Sequence, residues 1–271
     1  MNYRLILKIC LSFTFILVSA SASFAKKSPK EEKACEAGNL DACADLGDMY
    51  IQGKIGDRWD FETNEAIAIP MLEDACDRGG TKACEVLGRF YIDLEKDMGI
   101  GIPYILKGCD GGRASSCAYL GYLHGSNKFA MKDHTKAAVF REKACALDAG
   151  SFACIGLANA YGFGQGVEED QSKAAVLLET SCHHGQKVGC LEIALRYRKG
   201  NGVETDFSKA ASYYTPGCED GLSASCAGLA RLYETGGPNL PANKKKAKKY
   251  YKKACKKYNP HSCKKAKELS K

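Results

Sequence analysis

The sequence predicts an all-α protein, a right-handed solenoid of antiparallel helix pairs stapled by disulfides. Three features of its 271 residues predict this. Cysteines come in pairs at a steady interval, a helical stripe follows the second cysteine of most pairs, and a glycine turn leads into a second helix. A fixed period of roughly 20–50 residues is the mark of stacked repeats, each burying its apolar face on its neighbours.

Residues 1–25 have a different character. Arg4 and Lys8 make a positive start, Ile9 to Val18 form an apolar run, and Ser23-Phe24-Ala25 is a small-x-small cleavage signal. This is the pattern of a signal peptide removed before Lys26. The alternative is an uncleaved membrane anchor, for which the apolar run is short. No later stretch is apolar enough to span a bilayer. Residues 26–271 are therefore expected to form one soluble solenoid, periplasmic or secreted.

Cys10 leaves with the signal peptide. The other fourteen cysteines pair as Cys35/Cys43, Cys76/Cys84, Cys109/Cys117, Cys145/Cys154, Cys182/Cys190, Cys218/Cys226 and Cys255/Cys263. Six pairs are spaced by eight positions and Cys145/Cys154 by nine. From Cys76 onward the first cysteines follow at intervals of 33, 36, 37, 36 and 37 residues. Disulfides persist in exported proteins, so seven local bridges are expected, each joining the end of one helix to the start of the next. Zinc sites need closer clusters such as C-x-x-C, and no two of these cysteines are nearer than eight positions. His124, His134, His183, His184 and His261 show no H-x-H or H-E-x-x-H spacing. Neither a metal nor a cofactor is expected, and His183-His184 is placed in a solvated turn.

Each second cysteine opens a stripe. Leu46, Gly47 and Tyr50 follow Cys43 at offsets 3, 4 and 7, as Leu87, Gly88 and Tyr91 follow Cys84. Leu157, Ala158 and Tyr161 recur after Cys154, Ile193, Ala194 and Tyr197 after Cys190, and Leu229, Ala230 and Tyr233 after Cys226. Cys117 keeps Leu120 and Gly121 but has His124 in the tyrosine place. These offsets lie along one face of an α-helix. The glycines, costly inside a helix, point to close packing. The tyrosines are expected at helix interfaces, with hydroxyls available to line the inner surface.

Next comes the turn, Gly164-Gln165-Gly166-Val167 and again Gly200-Asn201-Gly202-Val203, with Asp170 and Asp206 placed as helix N-caps. A small residue stands eight positions before each closing cysteine from Cys76 onward: Ala68, Gly101, Ala137, Ala174, Ala210 and Ala247. Glycines expected to stop the second helices follow: Gly38, Gly79, Gly111, Gly150, Gly185 and Gly221. The units are a half-repeat at 26–42, repeats at about 43–83, 84–116, 117–153, 154–189, 190–225 and 226–262, and a lysine-rich cap at 263–271 that begins on Cys263.

The G-x-G-V-x-x-D-x-x-K-A segments at Gly164–Ala174 and Gly200–Ala210 resemble the Sel-one-like repeat, a relative of the tetratricopeptide repeat. With a C-x7-C pair per repeat, the chain resembles the Helicobacter cysteine-rich protein family over about residues 33–263. Departures occur at Leu94–Pro103, which lacks the turn, and at Gly53–Phe61, which carries an insertion. The resemblance implies β-lactamase activity, since members are named for slow hydrolysis of penicillin-type compounds. The residues add no catalytic site. Serine β-lactamases use S-x-x-K with S-D-N and K-T-G, and the one S-x-x-K after the leader, Ser262 to Lys265, is embedded in the last cysteine pair.

Charge is uneven. Asn243 to Lys271 holds 13 lysines against Glu268, whereas Lys26 to Ala242 holds 24 basic and 31 acidic residues. A polar outer face is what a terminal repeat requires. Docking on a phosphate-rich surface is the alternative. Trp59 sits in the insertion, placed either to pack the loop or to anchor a partner. The sequence supports two functions: a scaffold binding peptide, protein or cell-wall fragments on its concave face, or a slow β-lactam hydrolase. Nucleic acid is not an expected partner.

Overall fold

The computed structural model describes residues 28–55, 61–94, 96–129, 131–255 and 259–270. The expected leader, Cys10 and Trp59 lie outside them. Among the described residues there are fourteen α-helices and no β-strand. The first helices of successive pairs are α2 (Leu40–Ile51), α4 (Thr81–Arg89), α6 (Ala114–Gly125), α8 (Phe152–Phe163), α10 (Lys187–Lys199) and α12 (Ser223–Thr235). The second helices are α3 (Phe61–Asp77), α5 (Met98–Asp110), α7 (His134–Leu147), α9 (Gln171–His183), α11 (Phe207–Glu219) and α13 (Lys244–Cys255). A lone second helix, α1 (Pro29–Glu36), precedes them, and a lone first helix, α14 (Pro260–Glu268), follows.

Each helix packs on its chain neighbours. In addition α2 touches α4, α6 touches α8 and α10 touches α12, with no comparable pairing of second helices among the described residues. First helices therefore approach one another more closely than second helices do; their side of the array is called the inner face and that of the second helices the outer.

The cysteine-led stripe forms the core. Leu46, Leu87, Leu120, Leu157, Ile193 and Leu229 are buried, each worth about 1.5–3 kcal/mol against exposure. The small residues beside them set the helix spacing. A Cβ on Gly88 would lie 2.9 Å from the Gly101 carbonyl oxygen, and one on Gly101 would lie 2.7 Å from that of Gly88. The backbones of α4 and α5 thus cross in contact. Ala68, Ala137, Ala174, Ala210 and Ala247 fill the small-residue position in the other pairs, all without exposed surface.

Asp170 and Asp206 cap α9 and α11, accepting from Lys173 N at 2.8 Å and Lys209 N at 2.9 Å. Asp97, Asp133 and Asn243 do the same for α5, α7 and α13. In the turns, Gly166 and Gly202 adopt φ of 76° and 72° and lie against the start of the preceding second helix. A Cβ would stand 2.1 Å from the His134 oxygen in one case and 2.0 Å from the Gln171 oxygen in the other. Where this turn is missing, α4 runs into a π-helical turn at Phe90–Leu94, and Lys96, at φ 57°, leads to the Asp97 cap.

Two expectations about glycine need correction. After Cys109 it is Gly112, not Gly111, that takes the left-handed conformation. Gly111 instead packs against Thr81, where a Cβ would come within 2.4 Å of the threonine methyl. Gly150 has no positive φ; the extra residue between Cys145 and Cys154 lets Asp148 accept from Gly150 N at 2.9 Å and hold that turn.

The structure places the sulfurs of all seven cysteine pairs 2.02–2.08 Å apart: Cys35 with Cys43, Cys76 with Cys84, Cys109 with Cys117, Cys145 with Cys154, Cys182 with Cys190, Cys218 with Cys226, and Cys255 with Cys263. The residues just before the two cysteines of a pair pack on each other, and both must be small. A Cβ on Gly108 would lie 2.6 Å from the Ser116 hydroxyl, and one on Gly217 would lie 2.6 Å from that of Ser225.

Cys263, the residue on which the expected cap at 263–271 begins, stands in its helix as Cys43, Cys84, Cys117, Cys190 and Cys226 stand in theirs. Cys263 lies within α14, in the fourth position of a helix that begins at Pro260. The helix starts there because Asn259 accepts from Ser262 N at 3.0 Å and Pro260 takes the first helical position, where its missing N–H costs nothing. Cys263 is half-buried there, bonded back to Cys255 at the end of α13. The lysines of α13 make no ion pair among the described residues, whereas Lys265, two residues after Cys263, reaches Glu234 at 2.9 Å.

Candidate binding surface

Ser262 and Lys265 do not form a nucleophile and its base. Ser262 is fully buried beside Cys263, in the position that Ser116 and Ser225 occupy beside their own disulfides. Lys265 is engaged by Glu234, and that contact raises its pKa. His183 and His184 lie at the end of α9, and both are exposed. His124 is buried, stacks on Phe140 with ring centroids 5.6 Å apart, and bonds to the Met131 carbonyl.

The tyrosines of the stripe do pack at interfaces, but they turn toward the second helices rather than the inner surface. Tyr91 stacks on Tyr104, Tyr197 on Tyr213 and Tyr233 on Tyr250, at 5.6–6.1 Å between centroids. Their partner is always the fifth residue before the next pair's first cysteine. Carboxylates three residues before a first cysteine anchor two of these partners: Tyr104 donates to Glu73 at 3.2 Å, and Tyr213 donates to Glu179.

The inner face is built differently. Across α4 and α6 it carries a polar network around Glu85, which is 7% exposed. Glu85 accepts from Arg113 and Ser115 and pairs with Arg89 at 3.2 Å. The Arg89 guanidinium stands 4.7 Å from the Tyr119 ring centre, and Tyr119 donates to Asp93 at 2.6 Å. Arg89 separates two grooves. One, of about 390 Å³, runs over α2 and α4 past Asp48, Lys82 and Asp93. The other, of about 460 Å³, lies between α6 and α8 and is walled by Tyr119, Tyr122 and the strongly exposed Phe152.

One residue on these helices breaks the rule of its position. The fourth residue before a first cysteine is a core site, filled by Leu72, Ile105, Leu178, Tyr214 and Tyr251, none more than 1% exposed. In the third pair it is Arg141. Its side chain leaves α7 and lies across Gly121 and Gly125 of α6 and Gly156 of α8, where a Cβ would stand 2.8, 2.2 and 3.1 Å from arginine atoms. Three glycines thus form a slot that carries the guanidinium between the first helices. No carboxylate or carbonyl among the described residues pairs with it, and partial burial lowers its pKa. Sequence reading by period and motif passed over Arg141. Aligning the six helix pairs on their cysteines exposes it, as the one charge in their apolar column; the lone α1 carries Glu31 there.

The Sel1 repeat family matches residues 40–79, 114–148, 151–186, 188–222 and 223–259, more than half of the chain. The chain belongs to the Sel1 repeat family. Among solved structures, it is similar to a protective antigen of uropathogenic Escherichia coli displaying an SLR fold, with TM-score 0.73 and 23% identity over 88% of this chain. The alignment spans 54% of that protein, so this chain corresponds to about half of its length. A Sel1 repeat protein from Oxalobacter formigenes aligns with TM-score 0.68 and 22% identity, covering 88% of this chain and 68% of that one. Helicobacter pylori cysteine-rich protein B aligns over 49% of this chain and 95% of its own, with 27% identity and TM-score 0.40. Comparison with curated protein sequences gives no match. No helix among the described residues is long and apolar enough to cross a membrane.

The carboxylate-bound tyrosines of this Sel1 array give it a pH limit. Burial, then Glu73, pushes Tyr104 up to about 12. Burial together with Asp93, Glu179 and Glu234 moves Tyr119, Tyr213 and Tyr251 the same way. A folded pKa above the unfolded one stabilises the protonated form, so this contribution is complete below pH ~10 and is lost as pH rises toward ~12. Helical circular dichroism should therefore hold to about pH 10 and fall by about pH 12, together with a late step in tyrosinate absorbance. If all the tyrosines ionise together near pH 10 with the helices intact, these contacts do not hold in solution.

Proposed function

We propose that this Sel1 repeat protein is an exported scaffold that binds a polypeptide or a cell-wall peptide along its inner face, with an acidic group of the ligand held by Arg141. The observation that carries this reading is the guanidinium itself: a charge set in a core column, threaded through a glycine slot and left without a partner. Half-buried cations gain most from an anion, since charge-assisted hydrogen bonds are roughly twice as strong as neutral ones. The Arg89 network and the rings of Tyr119, Tyr122 and Phe152 supply donors, acceptors and flat apolar contact beside it. Helix-pair solenoids characteristically use such extended concave surfaces for binding. Seven cysteine pairs poised to bridge suit an oxidising compartment, which agrees with the leader expected at residues 1–25.

The test uses oxidised protein and muropeptides ending in a free carboxylate, compared by calorimetry with the same peptides amidated. The free acids should bind more tightly, and Arg141→Leu should weaken them about tenfold, the equivalent of one hydrogen bond to a charged group. Leu72 over Gly47 shows that leucine is accommodated at this position, so the variant should fold and melt at or above the parent temperature. Equal binding by parent and variant would remove Arg141 from the function, and a variant that melts much lower would make the arginine structural.

A further inference from the structure

On the outer side of the array, the stacking position lacks a ring in two pairs, at Met71 and at Leu177, and only the second keeps the lysine of the complete column. Where the column is complete, Tyr197 carries the stacked ring of Tyr213 at 5.6 Å, Lys209 stands 5.2 Å from the Tyr197 centroid, and Glu179 accepts from the Tyr213 hydroxyl. One repeat earlier, Tyr161 has its lysine, Lys173, at the same 5.2 Å. Glu142 stands in the Glu179 position, three residues before its cysteine. The residue that should stack, however, is Leu177. It has neither a ring nor a hydroxyl.

The consequence is a groove of about 590 Å³ between α7 and α9, floored by Leu157 and Tyr161 of α8. Glu142 and Lys173 stand at its edge, and Val176 and Leu177 form an apolar wall. Glu142 is exposed and has no hydrogen-bond or ion-pair partner among the described residues, whereas Glu73 and Glu179, beneath their tyrosines, are half-buried. The strap that crosses the outer side elsewhere is also absent. Lys107 reaches Asp77 and Lys143 reaches Asp110, both at 2.8 Å, but the corresponding residues here are Thr180 and Ala146. In the first pair the corresponding residue is Met71, which has no ring.

We propose that this groove docks a tyrosine side chain of a partner polypeptide, its ring laid on Tyr161 and its hydroxyl donated to Glu142. The complete repeats act as the template: the groove retains the aromatic floor, the cation and the carboxylate that hold Tyr213, and lacks only the tyrosine. A phenylalanine would fill the volume but leave Glu142 unsatisfied, so the site selects the phenol. It lies on the opposite side from the Arg141 surface and can fail or stand independently of it.

The experiment titrates N-acetyl-tyrosinamide and N-acetyl-phenylalaninamide into the oxidised protein while following the methyl resonances of Leu157, Val176 and Leu177. The tyrosine compound should shift these methyls saturably, and the phenylalanine compound should bind at least threefold more weakly. Glu142→Ala, a change at an exposed residue, should reduce the tyrosine compound to the phenylalanine level. Leu177→Tyr should raise the melting temperature by completing the column and should abolish the shifts of Leu157 and Val176. Absence of saturable shifts, equal binding of the two amides, unchanged binding in Glu142→Ala, or undiminished binding in a folded Leu177→Tyr protein would each overturn the proposal. A Leu177→Tyr protein that melts below the parent would also count against it, because the template would not apply.

Discussion

Full reduction of the cysteines should unfold this protein under conditions where the oxidised chain remains helical. Closing a loop of eight residues stabilises a fold by only about 2–3 kcal/mol in the chain-entropy model. Each pair, however, sits at the junction between repeats, from Cys35 and Cys43 where α1 meets α2 to Cys255 and Cys263 where α13 meets α14. A solenoid is stabilised by the sum of such local terms, and seven of them, about 14–21 kcal/mol together, match or exceed the roughly 5–15 kcal/mol net stability typical of a folded domain. Circular dichroism melts with and without a phosphine reductant would measure the effect. Mass mapping of the oxidised protein should find seven local bridges and no free thiol. An unchanged melting temperature in reductant, or bridges between non-adjacent pairs, would refute the expectation.

Gly202→Ala should be among the most damaging single substitutions outside the cysteines. The left-handed φ of 72° costs about 1 kcal/mol for a residue with a side chain. The larger cost is steric: the new methyl group would stand 2.0 Å from the Gln171 carbonyl oxygen, and neither backbone can yield without opening the junction of α9, α10 and α11. A loss of about 3 kcal/mol or more is expected, a fall in melting temperature on the order of 10 °C for a chain of this size. Gly185→Ala separates the two costs. Its φ of 86° is equally strained, yet nothing lies within 4 Å of the added carbon, so it should lose only about 1 kcal/mol. If the two variants melt alike, the contact with Gln171 is not what fixes the turn.

Much of the fold was legible because it repeats. The cysteine interval, the Leu-small-Tyr stripe and the Asp170 and Asp206 caps each impose one local geometry, and local geometry is what a sequence states most directly. The finer choice between Gly111 and Gly112 was not legible, since two adjacent glycines both permit the left-handed turn and only packing on Thr81 selects between them. The direction of the tyrosines was lost for a related reason. Helical spacing gives the face of Tyr197 but not the reach of its hydroxyl, which depends on Glu179 of the neighbouring repeat. The candidate sites were least visible. Arg141 and Leu177 follow no motif; they are departures from two columns, and a departure acquires meaning only when the column's task in space is known.

The contact between each turn and the helix before it gives the array a direction. Gly166 leans on the first residue of α7, Gly202 on that of α9, and Gly237 on the ring of Phe207 at the start of α11. In all three cases the later repeat rests on the earlier one. Removing repeats from the C-terminal end leaves every remaining turn with its support, while removing them from the N-terminal end leaves the next turn leaning on nothing. A chain emerging from its N-terminus, through a ribosome or a translocation pore, therefore presents each repeat with a finished platform before that repeat arrives. The array is suited to grow from its oldest end forward, like a wall laid course by course.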